Sequence, residues 1–262
     1  MKVSEIASLI EAYAPLSLQE DWDNAGIQVG DPQATVTGVL LCTDVTEAVV
    51  AEAIDRGMNM VVSHHPLIFH GLKKVMGRNP VERTVAMAIK HDITIYSAHT
   101  NMDNAPGGVS WLMAQKIGMT DVEVLDAHTD AATGKAVGSG VIGNVAATPA
   151  RDLIARIKTA FEGEGLRYSG NVDAVVTRVA LCGGAGAFLI NNAIAAGAQL
   201  FVSADMRYHD FLEYNDRLVL ADIGHYESEH FTKEIFYRLI QEKNPTFAVA
   251  FAKQERNQIH YL

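Results

Sequence analysis

Residues 38–65, GVLLCTDVTEAVVAEAIDRGMNMVVSHH, and residues 178–205, RVALCGGAGAFLINNAIAAGAQLFVSAD, align without a gap at a separation of 140 residues. Eight positions are identical: Val39/Val179, Leu41/Leu181, Cys42/Cys182, Ala53/Ala193, Ile54/Ile194, Gly57/Gly197, Val62/Val202 and Ser63/Ser203. Each stretch is an apolar run, a turn, a helical pattern closed by glycine and a second apolar run. Short apolar runs bounded by turns mark strands buried on both faces, so each copy predicts a β-α-β unit. Gly30 and Gly170 share the offset, each closing a short extended run, GIQVG and LRYSG. The pattern predicts an α/β fold of two topologically similar α/β domains, with layered sheets flanked by helices. Unrelated β-α-β units also share Val, Gly and Ala at such spacings, so coincidence stays open beside the favoured reading of duplication. In register on twin strands, Cys42 and Cys182 read as packing residues rather than nucleophiles.

Outward from the repeat, residues 121–140, DVEVLDAHTDAATGKAVGSG, replace apolar periodicity with Gly, Ala, Thr and Asp. This segment is the expected junction, giving domains 1–125 and 126–262, with the C-terminal segment free to pack back on the first. The second half should open with a strand through Val141 and Val145 and a helix entered at Pro149. The chain has 262 residues, 48% apolar and 20% charged, which excludes wholesale disorder and fibrous architectures. Lys plus Arg number 21 against 31 Asp plus Glu, and the net charge of −10 argues against a broad phosphate-binding surface. DNA would need a local basic patch, for which Lys73, Lys74 and Arg78 are the candidates. Two cysteines exclude a disulfide framework and a CxxC zinc site, which fits a reducing cytoplasm. MKVSEIASLIEAYAP reads as an amphipathic helix rather than a signal peptide. Val179–Ala204 carries no charge and is long enough to cross a bilayer, but its glycines, Asn191, Asn192 and Gln199 favour a unit buried in protein.

The chemistry-bearing residues collect after the apolar runs, where open α/β sheets place their ligands. Ser63, His64, His65 and Pro66 follow the run Met60–Val62. An isolated histidine pair more often hydrogen-bonds within a loop, but this pair has company. The run Ile93–Tyr96 leads into His99 and Asp103, and Leu218–Leu220 leads into His225 and Glu229. A shift of 126 superposes HxxxD on HxxxE, so both halves offer an imidazole and a carboxylate. Phe231, Ile235, Phe236 and Leu239 follow at helical spacing, which puts His225 and Glu229 on one face of a first turn. Pro106, Gly107 and Gly108 suggest that His99 and Asp103 instead span a loop. His64, His65, His99, Asp103, His225 and Glu229 exceed the needs of one tetrahedral ion and suit two. Imidazole and carboxylate without thiolate fit Zn, Mn, Fe or Ni. Asp205 and His209, in SADMRYHD, are candidates for orienting ligands or relaying protons. Asp21–Asn24 form a polar turn that lines a cleft on this reading. CGGAGAFL offers a weaker phosphate-loop alternative, since Leu189 stands where GxGxxG needs its third glycine.

DWDNAGIQVGD, CTDVTEAVVAEAI, VVSHHPLIFHGLKK, YSAHTNMDNAPGG, CGGAGAF, VSADMRYHD and GHYESEHF together resemble the GTP cyclohydrolase 1 type 2 homolog family, also called Ngg-one-interacting-factor-three-like. The resemblance covers essentially the whole chain. It implies two similar α/β domains with a dinuclear metal site between them and a ring-shaped homohexamer. It also implies metal ligands at His64, His65, Asp103, His225 and Glu229, with His99 a sixth. The implied function is a metal-dependent hydrolase, in which two divalent ions activate water against a small-molecule substrate. The alternative is a metal-stabilised regulatory or scaffold ring without catalysis. No guanine-reading motif supports the cyclohydrolase name independently.

Overall fold

In the computed structural model, which describes Met1–Leu262, the two copies of the repeat adopt the same strand register. The chain begins with α1 (Val3–Tyr13), β1 (Gly26–Val29), β2 (Val39–Cys42), α2 (Glu47–Asp55), β3 (Met60–Ser63), α3 (Pro80–Lys90), β4 (Thr94–Ser97) and α4 (Thr100–Asn104). It continues with α5 (Val109–Lys116), β5 (Thr120–Thr129), β6 (Ala136–Pro149), α6 (Ala150–Ala160), β7 (Arg167–Ser169), β8 (Val175–Ala185), α7 (Ile190–Ala195), β9 (Leu200–Ala204), α8 (Tyr208–Tyr214), β10 (Val219–Asp222) and α9 (His225–Glu229). It closes with α10 (Thr232–Lys243) and β11 (Val249–Phe251). One unit comprises Met1–Ala105 and Thr232–Asn257, the other Pro106–Phe231 and Gln258–Leu262.

The first unit holds a five-stranded sheet ordered β1-β4-β3-β2-β11, and the second a six-stranded sheet ordered β5-β6-β8-β9-β10-β7. Parallel pairing sets Val39 opposite Met60 and Leu41 opposite Val62; in the second unit Val179 faces Leu200 and Leu181 faces Val202. Every one of these residues is displaced by 140, so the sequence repeat is a structural one. It extends to the flanking antiparallel strands, where β1 pairs β4 and β7 pairs β10. Gly30 and Gly170, both at positive φ, press on equivalent backbone: an added Cβ would lie 2.8 Å from Thr94 Cα in one and 3.0 Å from Val219 Cα in the other. Only glycine gives both the left-handed turn and that approach. The units diverge beyond β2 and β8, where β11 joins parallel and β6 antiparallel.

The uninterrupted apolar runs are explained by burial on both faces. In the second sheet, Val179, Leu181, Leu200, Val202, Val219 and Ala221 pack on one face with α6 residues Leu153 and Ile157. Ala180, Cys182, Phe201 and Leu220 pack on the other with Ile190 and Ala193 of α7. In the first unit Cys42 joins Leu40, Val61 and Ile95 against Val49, Val50 and Ala53 of α2. Neither cysteine forms a disulfide and both are buried, and burial pushes the Cys42 thiol well above its ordinary pKa. The charge-free stretch Val179–Ala204 resolves into most of β8, α7 and β9; no helix is long and apolar enough to cross a membrane.

The division differs from the expected boundary near residue 125. Residues 121–140 belong to the β5–β6 hairpin rather than to a junction, and the first stretch of the first unit ends at Ala105. Its turn is built on Asp130, whose carboxylate accepts Thr133 N–H at 3.0 Å. β5 is an edge strand, mostly exposed along its length, so it has little reason to show apolar periodicity.

Candidate metal centre

In the first unit the parallel strands β2, β3 and β4 all end at one edge, and the polar residues stand just beyond them. His65 N–H continues the ladder by donating to Thr43 O at 2.9 Å, and Ala98 N–H does so to Ser63 O at 3.0 Å. Ser63 Oγ, buried, bonds His65 O and Ser97 Oγ, each at 2.8 Å, which fixes the chain as it leaves β3. There the backbone bends, so His64 and His65 escape the opposite-face rule of an extended strand. Their rings lie 5.0 Å apart, and the His99 ring is 5.2 Å and 5.4 Å from them. One ring nitrogen from each of the three falls within 4.8 Å of the others.

The hydrogen bonds assign the nitrogens. His64 Nδ1 is 3.0 Å from Ala98 O, and since a carbonyl only accepts, Nδ1 carries the proton and Nε2 the lone pair. Asp44 Oδ1 holds His65 Nδ1 and Asp23 Oδ1 holds His99 Nδ1, both at 2.8 Å. Asp23 also accepts from Thr100 N–H at 3.0 Å and from the Thr100 hydroxyl. Burial pushes the Asp23 carboxyl up, but hydrogen bonds from His99 and Thr100 overcome it and hold the group well below the usual carboxylate range.

Asp23 corrects one sequence expectation. The HxxxD segment is not a loop: with Thr100 capped, α4 forms at once, and His99 and Asp103 are one turn apart. Asp103 Oδ1 stands 3.7 Å from His64 Nε2.

The second unit repeats the device on α9. His225 Nδ1 meets Asp205 Oδ2 at 2.8 Å, and His225 Nε2 meets Glu229 Oε2 at 2.9 Å. Glu229 is 3% exposed and lies against Gly184. A Cβ on Gly184 would overlap Glu229 Oε1 and stand 3.3 Å from His225 Cε1. Gly184 N–H donates to Ser228 Oγ at 2.9 Å, closing the seat. CGGAGAFL is thus a cradle for a carboxylate of this chain. β4 and β10 correspond at a shift of 125, and the shift of 126 for the site residues comes from one added residue, Gly224, at φ +92°. Asp222 Oδ1 accepts Gly224 N–H at 3.1 Å and supports that turn.

A sequence model of Duf34/NIF3 (NGG1p interacting factor 3) matches residues 1–258. The chain belongs to the Duf34/NIF3 family. A relative from Lactococcus lactis subsp. lactis named GTP cyclohydrolase 1 type 2 homolog is 33% identical, covering 100% of this chain and 99% of its own. One of the same name from Clostridium perfringens is 32% identical, covering 87% of each chain. The crystal structure of Staphylococcus aureus protein SA1388 superposes with a TM-score of 0.91 at 27% identity, covering 100% of this chain and 99% of that one.

This Duf34/NIF3 chain therefore supplies four imidazoles, each with Nδ1 held by an acceptor, and two carboxylates. The donor set fits borderline divalent transition ions, and the Asp–His pairs are the arrangement that sets the tautomer of a metal-binding imidazole. Of the two residues that the sequence offers for orienting ligands or relaying protons, Asp205 holds His225 Nδ1, whereas His209 is exposed on α8 with its ring against Tyr208. Sequence reasoning missed Asp44, although CTDV places that residue at a strand exit like the others. It treated Asp23 only as cleft polarity. Glu255 left no signal: from 211 residues away it accepts Asp44 N–H at 3.1 Å, bonds Thr43 N–H and pairs with Lys233, so it fixes the loop that carries Asp44. Lys73, Lys74 and Arg78 are exposed on the loop before α3.

Proposed function

We propose that this Duf34/NIF3 protein is a two-metal hydrolase acting on a small molecule, with His64, His65, His99 and Asp103 of the first unit and His225 and Glu229 of the second holding the ions. The observation that carries the reading is the uniform second hydrogen bond. His64, His65, His99 and His225 each have Nδ1 committed to an oxygen, which turns Nε2 toward ligation. Divalent ions held there would supply Lewis acidity and lower the pKa of water. Asp44, Asp23 and Asp205 keep the imidazoles oriented; Glu229, seated on Gly184, contributes negative charge. His65 and His225 retain part of their surface exposed, which gives a substrate access.

The relatives' name makes a purine nucleotide the first substrate class to test, by hydrolytic opening of the imidazole ring; phosphoester and amide hydrolysis come next. Protein reconstituted with Zn, Mn, Fe or Ni should hydrolyse at least one member of a panel that includes GTP, and a chelator should abolish the activity. A fully metal-loaded protein inactive across the panel would favour the rival reading, a metal-stabilised scaffold. Assembly into a closed homohexamer is part of the proposal. Tyr208 and Leu212, exposed one turn apart on α8, and exposed Phe188 supply apolar surface for it. Light scattering coupled to size exclusion should give a mass near six chains, and a monomer would remove this part. With a net charge of −10 per chain, DNA should show no salt-dependent affinity even at low ionic strength.

A further inference from the structure

In the turn DWDN, residues 21–24, Asp23 and Asn24 are committed to two tasks and one large side chain is left over. Asp23 locks His99, as described. Asn24 Nδ2 donates to Ile68 O at 2.7 Å, and Gln28 Oε1 accepts Ile68 N–H at 3.2 Å, so the turn is stitched to the loop that follows His64 and His65. Just ahead of these anchors Trp22 stands 58% exposed, and the stitched loop presents Phe69 at 42% exposure. The two rings meet at 5.7 Å between centroids, tilted by 44°. The His99 ring lies edge-on to both, 5.9 Å from Trp22 and 6.1 Å from Phe69.

Exposing two large aromatic rings works against stability, because each would gain from burial. Here the chain beside each ring is pinned by hydrogen bonds: Asp23, next to Trp22, holds the His99 imidazole, and Ile68, next to Phe69, is bonded to Asn24 and Gln28. Two side chains are far too small a patch for a stable protein interface, which needs about 800 Å² from each partner. They suit one planar ring. The 5.7 Å separation leaves no room for a third ring between them, so the guest packs on the open faces of the corner.

We infer that Trp22 and Phe69 form a preorganised stacking corner that binds a planar heteroaromatic ring of the substrate beside His99. This rests on the metal-centre reading and adds the substrate class: a molecule with a flat, π-rich ring next to the bond that is cleaved. A saturated sugar phosphate lacks the group that the corner recognises.

The test uses the zinc-loaded protein carrying Trp111→Phe, which leaves Trp22 as the sole tryptophan, excited selectively over the tyrosines. Guanosine, cytidine and nicotinamide are titrated against fluorescence and by calorimetry, with ribose 5-phosphate as the ringless probe. At least one ring compound should quench Trp22. Its Kd should rise about tenfold or more in Trp22→Ala and in Phe69→Ala, as for other lost base–aromatic stacks, and Trp22→Phe should restore most of it. Ribose 5-phosphate binding should be indifferent to Trp22→Ala. Zinc is measured on every sample. Zinc-loaded protein that binds no ring compound in a Trp22-dependent way overturns this inference alone, whereas failure to load zinc removes the metal-centre reading and this one with it. A change of assembled mass in Trp22→Ala, with ring binding unaltered, would also overturn it by marking the pair as a subunit contact.

Discussion

Gly184→Ala should separate two effects that a glycine substitution usually mixes. Gly184 sits at φ +59°, where an L side chain strains the backbone by roughly 1–2 kcal/mol, partly offset by the stiffer unfolded chain. Its Cβ would also occupy the place of Glu229 Oε1, so the carboxylate has to retreat by about 1 Å to regain van der Waals distance. Metal–ligand bonds tolerate about 0.2 Å, so that retreat removes the ligand rather than adjusting it. Gly197→Ala is the control: it has φ +78° and nothing within 4 Å, so it carries backbone strain without the collision. Both variants should lose about 1 kcal/mol in urea unfolding of the metal-free protein. Only Gly184→Ala should weaken zinc binding in a competition titration, by more than the roughly 10–100-fold that outer hydrogen-bond partners are worth. Zinc affinity unchanged in Gly184→Ala would refute the seat assigned to Glu229. Equal loss in both variants would show that the effect is general damage to the fold.

Three further outcomes follow from individual contacts. Glu229→Gln should reduce metal occupancy far more than Cys182→Ser, because one removes a ligand charge and the other only a buried thiol; the opposite ranking in metal titrations would reverse both assignments. Glu255→Ala should lower zinc affinity without touching any ligand, by freeing the Thr43–Asp44 loop that holds His65, and Glu255→Gln should recover part of it; wild-type affinity in Glu255→Ala would break that chain of contacts. Glu52 accepts Lys253 N–H at 2.7 Å, Gln254 N–H at 2.8 Å and Arg56 at 2.7 Å; burial pushes its carboxyl up, but these donors outweigh it and hold the pKa below the ordinary value. Its stabilisation is therefore present above the unfolded value of about 4.3 and lost as pH falls through the folded one. Glu52→Gln should cost about 2 kcal/mol at pH 7, with a gap to wild type that narrows below about pH 4.3 in denaturant titrations; a gap that widens on acidification would contradict the sign.

The repeat was legible because parallel strands buried on both faces must be apolar throughout, and because Gly57 and Gly197 end equivalent helices. Position at strand ends made the site legible for the same reason: polar residues after apolar runs have few other places to go. What escaped was everything set by tertiary hydrogen bonding. Asp23 reaches His99 across 76 residues and turns a supposed loop into a helical turn. Glu255 reaches the β2 exit from the far end of the chain, a distance that no periodicity records. The junction was misplaced because an exposed edge strand such as β5 has the composition of a linker.

Metal stoichiometry tests the central claim most directly. Protein purified without chelator, or stripped and reconstituted with zinc, should contain about two transition-metal ions per chain by elemental analysis, as expected for a two-metal site. Trace metal in both preparations would contradict the metal centre.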